Sequence, residues 1–311
     1  MINNLLKGTL AVIVATIVIM SMLPLFQEFD DDVLDVIVID GQSNAEYYRD
    51  NNGMVNISEV NSVLGAPHHK ILYYGTSTQP AGYHQRNDLD SYSIHEAYVN
   101  GSYVVGSLLA PLGYYYSEKS GHDILIINAG VAGSPIEGLV PDSTGGEWRS
   151  DLIDHVMPLI HGYSKINKIG WVWLQGESDK NTPISSYKES FYEIQEYYET
   201  IGYDNCYIVK TMYEHGKNAT IAQAQLIIES SNIYLGTDIT DTFPGTPMMK
   251  ADNVHYTQAG RILIAGDLTK VLPVEKDGSE TLMTLVSTIP IILIAALLLG
   301  IIGTVLYKKL N

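Results

Sequence analysis

The chain has 311 residues, enough for one sizeable domain, and a formal net charge of −17 at pH 7. All 35 acidic residues fall between Glu28 and Glu280, whereas three of the 18 basic ones, Lys7, Lys308 and Lys309, lie outside that stretch, so the middle region carries a net −20. A surface this acidic repels phosphate backbones, which excludes nucleic acid as a partner, and a single cysteine, Cys206, excludes an intrachain disulfide.

The first element is apolar. Residues 9–26 carry no charge, and neither do residues 282–307. Each run is long enough to cross a hydrocarbon core of about 30 Å as a helix. A transmembrane helix is therefore predicted over 5–27 and a second over 282–307, with one globular domain over 33–273 between them. Lys7 precedes the first run, and Lys308 and Lys309 follow the second. Positive residues favour the cytoplasmic side, so both ends point inward and the domain is placed outside the cytoplasm, at a cell surface or virion envelope. A cleaved signal peptide is the competing reading of the first run. Against it stand the length of the apolar core and the lack of a small-x-small cleavage site in Met22-Leu23-Pro24-Leu25-Phe26-Gln27. Three sequons, at Asn56, Asn100 and Asn218, are compatible with a glycosylated exported domain.

Asp30-Asp31-Asp32 reads as a solvated spacer. Strands are then predicted over 36–40, 71–74, 124–128, 169–174, 207–211 and 233–236, and helices over 103–119, 150–161, 185–201, 218–230 and 257–271. Such alternation predicts a parallel sheet with helices on both faces. The fully apolar Ile124-Leu125-Ile126-Ile127 fits a strand covered on both sides. The expected architecture is a three-layer α/β/α domain around a mainly parallel, five-stranded, flavodoxin-like sheet. Residues 47–86 read as a long polar loop region near the rim of the first strand. The 22 tyrosines read as packed rings whose hydroxyls reach water, with sugar stacking as the alternative.

Four stretches fall at predicted element ends. They are Gly41-Gln42-Ser43-Asn44, Asn128-Ala129-Gly130-Val131-Ala132-Gly133-Ser134, Gln175-Gly176-Glu177-Ser178-Asp179 and Asp252-Asn253-Val254-His255. A serine just past a strand sits at the rim where open α/β sheets bind ligands. Its hydroxyl is a poor nucleophile until a base is placed beside it. The four blocks, in this order over roughly 33–271, resemble those of the SGNH hydrolase superfamily. The likeness is closest to the sialate O-acetylesterase and acetylxylan esterase-like carbohydrate esterases. It covers the whole globular region and neither apolar run.

The resemblance implies Ser43 as nucleophile, His255 as general base and Asp252 as the group that orients the imidazole. It further implies an oxyanion site made by the Ser43 and Gly133 backbone amides and the Gln175 side chain. Asn44, Glu177 and Asp179 are expected to support the site rather than react. The sequence departs from the family at Ala45, where a methionine is common, and in the long polar stretch after Ser43, which could form a lid or binding surface. No metal site and no cofactor are expected, since the adjacent His68 and His69 cannot easily face one ion. The expected function is a membrane-anchored serine esterase acting on O-acetyl or related acyl esters of carbohydrates, with acylated glycan and the lipid bilayer as partners. The alternatives are a non-catalytic glycan-binding or structural surface protein that reuses the fold, and a lipid esterase.

Overall fold

Nine residues in a row, Val33–Gly41 (β1), are buried, and the strand lies at the centre of the sheet. Its side chains alternate between two hydrophobic cores. Ile37 and Ile39 enter one, while Leu34, Val36 and Val38 enter the other. This is the period-two pattern of a strand covered on both faces. The computed structural model describes residues 33–46 and 55–274, which belong to one compact unit, Asp30–Val274. Both predicted membrane runs, 5–27 and 282–307, and the acidic spacer fall outside the described residues. Among the described residues no helix is long and apolar enough to cross a membrane.

In chain order the strands after β1 are Ile71–Thr76 (β2), Gln79–Pro80 (β3), Ser93–Glu96 (β4), Tyr98–Val99 (β5), Ser102–Tyr103 (β6), Asp123–Asn128 (β7), Lys165–Leu174 (β8), Cys206–Val209 (β9) and Ile233–Thr237 (β10). The helices are Ile57–Val63 (α1), Leu109–Ser120 (α2), Thr144–Val156 (α3), Ile184–Thr200 (α4), Lys217–Glu229 (α5) and Gln258–Val271 (α6). The main sheet runs β10-β9-β8-β1-β7-β2-β3, with β4 also paired to β2. Pairings from β10 through β2 are parallel, while β3 and β4 join β2 antiparallel. β5 and β6 form a separate hairpin. Residues from α1, α2 and α6 enter the core that holds Ile37, and residues from α3, α4 and α5 enter the other. The mainly parallel three-layer α/β arrangement matches the predicted alternation.

The strand count does not match. The main sheet has eight strands rather than five. The five expected in flavodoxin-like order are its central run, β7-β1-β8-β9-β10. Of the three extra strands, β2 covers the predicted strand over 71–74 and adds outside β7 as a sixth parallel strand, β3 lies in the stretch that reads as loop, and β4 lies just beyond it. Residues 57–63, in the stretch that reads as loop, form α1. β3 and β4 are two and four residues long, too short to show a period. Pro80 is tolerated because β3 is the edge strand. The predicted start of α2 at 103 is also moved, since Tyr103 belongs to the β5–β6 hairpin and the helix begins at Leu109.

The order of connections places the site. The strands neighbouring β1 are β7 on one side and β8 on the other, so the chain switches direction of winding across β1. In open α/β sheets this switch opens a crevice at the carboxyl ends of the strands. β1 ends there at Gly41, whose φ is +136°. A Cβ at Gly41 would meet the Leu174 carbonyl oxygen at 2.0 Å. Backbone of β8 therefore lies where any side chain would have to go. Gly41→Ala is expected to destabilise the fold by about 3 kcal/mol or more, from strain and overpacking together. Urea unfolding of the two proteins measures this, and a loss below about 1 kcal/mol would contradict it.

Candidate active site

Past Gly41 the chain makes a tight turn. The Gln42 amide donates to the Leu174 carbonyl at 3.0 Å, and the Gln42 carbonyl accepts from the Ala45 and Glu46 amides at 2.8 and 2.9 Å. Gln42 and Asn44 are buried, while Ser43 between them is partly exposed. The turn thus presents one hydroxyl at the rim. Ser43 Oγ lies 2.9 Å from His255 Nε2, and His255 Nδ1 lies 2.9 Å from Asp252 Oδ2. The Nδ1–H donates to the carboxylate, which leaves Nε2 as an acceptor for the serine hydroxyl.

The Asp252-to-His255 segment is a self-bonded turn. Asp252 Oδ1 accepts from the amides of Val254 and His255 at 2.8 and 3.0 Å. Asn253 takes φ +55°, a left-handed conformation that asparagine tolerates better than most residues. Burial pushes the Asp252 carboxyl up. The His255 amide, the His255 ring and the Val254 amide together outweigh it, and hold the carboxyl down to about 2.

Asn44 joins the two halves. Its Nδ2 donates to the Val254 carbonyl at 3.0 Å and to Glu177 Oε1 at 2.8 Å, and its Oδ1 accepts from the Tyr256 amide at 3.1 Å. The serine turn is thereby tied to the residues on both sides of His255. Glu177 Oε2 is buried without a hydrogen-bond partner among the described residues. Burial raises the Glu177 carboxyl, against the lowering effect of the Asn44 bond.

The glycine block folds over the same turn. The Val131 amide donates to the Gly41 carbonyl at 2.9 Å, Asn128 Nδ2 to the Ala45 carbonyl at 2.9 Å, and the Ala132 amide to Glu46 Oε2 at 3.0 Å. A Cβ on Gly130 would meet the Glu46 amide nitrogen at 2.7 Å. Gly133 has φ +72° and open space around its Cβ position. Among the described residues the Ser43 and Gly133 amides donate to no protein acceptor.

Gln175 is placed differently from its expectation as an oxyanion donor. It is buried, and its Nε2 donates to the Ser134 carbonyl at 3.2 Å and to the Asp179 carboxylate. Its Oε1 accepts from the Tyr187 hydroxyl at 3.0 Å. Both amide hydrogens are occupied, so the side chain fastens the glycine loop instead of facing an open position. Asp179 does the same from below, with Oδ2 accepting the Ile136 amide at 2.9 Å and Oδ1 accepting the Thr182 hydroxyl at 2.8 Å. Ser178 and Gln42 carry parts that residue type alone does not assign. Ser178 Oγ donates to the Gly133 carbonyl at 3.2 Å, and Gln42 Oε1 accepts from the Ser178 amide at 3.2 Å. The available signal is position, since both lie inside the blocks at the ends of β1 and β8.

The sequons fall on three kinds of site. Asn56 caps α1 by accepting from the Glu59 amide at 3.1 Å. Asn100 is exposed at the tip of the β5–β6 hairpin. Asn218 lies in the first turn of α5 and donates to the Thr182 carbonyl at 3.1 Å. Among the described residues no cluster of three or more His, Cys, Asp or Glu could hold a metal ion.

No family model and no curated protein matches the sequence. Solved structures do. A protein from Arabidopsis thaliana matches with TM-score 0.52 and 18% identity, over 76% of this chain and 96% of that one. A carbohydrate acetylesterase from Xanthomonas citri matches with TM-score 0.48 and 15% identity, over 76% of this chain and 56% of that one. A psychrotrophic esterase from Pseudoalteromonas matches with TM-score 0.40 and 12% identity, over 76% of this chain and 94% of that one. At such identities the likeness is one of fold, and the Arabidopsis protein shares this chain's α/β fold over nearly its whole length.

Proposed function

We propose that this chain is a serine esterase of the SGNH kind that removes O-acetyl or related acyl groups from carbohydrate. The observation that carries the reading is the hydrogen-bonded series Ser43, His255, Asp252 at the carboxyl end of the central strand. The carbohydrate part rests on the four sequence blocks and their order. The proposal also keeps the domain outside the cytoplasm, tethered through 5–27 and 282–307, on the strength of the flanking lysines.

Each step has an atom to perform it. Ser43 Oγ attacks the ester carbonyl carbon as its proton passes to His255 Nε2. Asp252, ionised, steadies the imidazolium that forms. The carbonyl oxygen becomes an oxyanion, and the Ser43 and Gly133 amides are the free donors for it. Collapse of the tetrahedral intermediate breaks the bond to the sugar oxygen, which leaves with the proton from His255. Water then bonds to the acyl carbon as it gives a proton to His255, and collapse of this second intermediate breaks the bond to Ser43 Oγ, which takes that proton back and frees the acid. In this scheme Gln175, Ser178 and Asp179 fix the loop that carries Gly133, and Asn44 fixes the distance from nucleophile to base.

Ser43→Ala is expected to lower hydrolysis of an aryl acetate by at least about 1000-fold and to abolish labelling by a fluorophosphonate. A folded Ser43→Ala protein that hydrolyses as well as the wild type would overturn the reading. A panel of acetylated sugars and long-chain lipid esters separates the carbohydrate reading from the lipid one. Glycan binding with no turnover of any ester would favour a binding protein.

The pH profile is a second test. A histidine base must be neutral to take the serine proton, so activity is expected to fall as pH is lowered. Asp252 contributes nothing to that limb, because its carboxyl is held down to about 2 and stays ionised throughout. The support it gives the folded state is present above its unfolded value of 3.8 and is lost as pH falls toward 2. A rate that stays flat as pH is lowered, with the protein still folded, would argue against a histidine base.

A further inference from the structure

Asp40, the residue before Gly41, is fully buried, and so is Arg149 on α3. Arg149 Nε donates to Asp40 Oδ2 at 2.6 Å, with neither side chain exposed. The same guanidinium donates through Nη2 to the Leu139 carbonyl. Asp40 Oδ1 accepts from the Gly41 amide at 2.7 Å, and Asp40 Oδ2 also accepts from the Tyr198 hydroxyl at 3.0 Å. The rings of Tyr197 and Tyr198 lie 5.5 and 5.4 Å from the guanidinium carbon.

These contacts have a direction. Leu139 ends the short turn Ile136–Gly138 that follows the glycine loop, and Gly41 begins the serine turn. One guanidinium therefore touches the backbone beyond the glycine loop and, through Asp40, the backbone just before the nucleophile. A buried ion pair is a poor source of net stability, because desolvation cancels most of the attraction and an apolar replacement is often tolerated. What it supplies well is fixed geometry, since a planar guanidinium can hold two acceptors at set positions.

We propose that Arg149 is a positioning residue that sets the distance between the serine turn and the glycine loop. Its effect is on the alignment of the Ser43 hydroxyl with the amides that would receive the oxyanion. The kinetic part of the test rests on the esterase reading, and the structural part does not.

The test uses the full chain with Asp40→Asn and Arg149→Met combined. Arg149→Met alone would strand a buried carboxylate and could unfold the protein. Asn at 40 removes that charge while keeping an acceptor for the Gly41 amide. The double variant is expected to unfold cooperatively near the wild-type midpoint. Hydrogen exchange is expected to quicken by about tenfold or more at the amides of 133–139, with β8 and β9 unchanged. For an aryl acetate, kcat is expected to drop by about 10- to 100-fold, with KM within about twofold, as misplacement of reacting groups predicts. Wild-type exchange at 133–139 in the folded double variant overturns the proposal, and so does an unchanged kcat. If the wild-type chain turns over no ester at all, the esterase reading fails while the exchange result still decides the role of Arg149.

Discussion

Ser43 and His255 lie 212 positions apart in the chain and 2.9 Å apart in the fold. No local propensity brings them together, so the hydrogen bond between them depends on the sheet. β1 supplies one end, because a central strand buried on both faces cannot shift without moving two cores at once. The other end comes from the turn ahead of α6. That turn is pinned by the Met249–Tyr256 bridge and by the cap that Thr257 gives the helix. Asn44 then bonds to residues on both sides of the histidine. Three hydrogen bonds from one buried side chain turn a chance approach of two loops into a fixed separation.

Backbone fit at the rim is as demanding as side-chain chemistry. Gly41, Gly130 and Gly176 each lie where a Cβ would meet another atom at 2.7 Å or less. Two of those contacts, at Gly41 and Gly130, are with backbone, which has no rotamer in which to retreat. The loops after β1, β7 and β8 thus pack as main chain against main chain. That is how so many polar groups reach one another within a small volume.

Much of this was legible in the sequence, and the reasons it was legible are local. The six parallel strands each contain an apolar run, clearest in β7 and β9, whose residues are all buried. The four site blocks were visible because chemistry confines them to element ends. What was not legible depends on tertiary contact. β3 and β4 are strands only because β2 offers an unpaired edge. The seven residues of α1 are too few to show a helical period convincingly, and Val60 is their only buried side chain. Gln175 was assigned by analogy to a free donor, yet a glutamine's role is set by which acceptors surround it. Here Asp179, four residues on in the same block, and Ser134, from the loop after β7, stand within reach, and the local sequence does not announce Ser134.

Two acids flank the imidazole, and their environments separate them. Asp252 is partly exposed but accepts from two amides and the His255 ring, so hydrogen bonding overcomes burial and the carboxyl is held down to about 2. Glu177 accepts from Asn44 and keeps one buried oxygen without a partner among the described residues, so burial prevails and its carboxyl is raised. The acid that stays charged at all working pH values, and touches Nδ1, is the one able to stabilise an imidazolium. The contact of Glu177 is with Asn44 rather than with the ring. Glu177 therefore meets the serine turn through its bond to Asn44, and Asp252 meets the histidine through its bond to Nδ1.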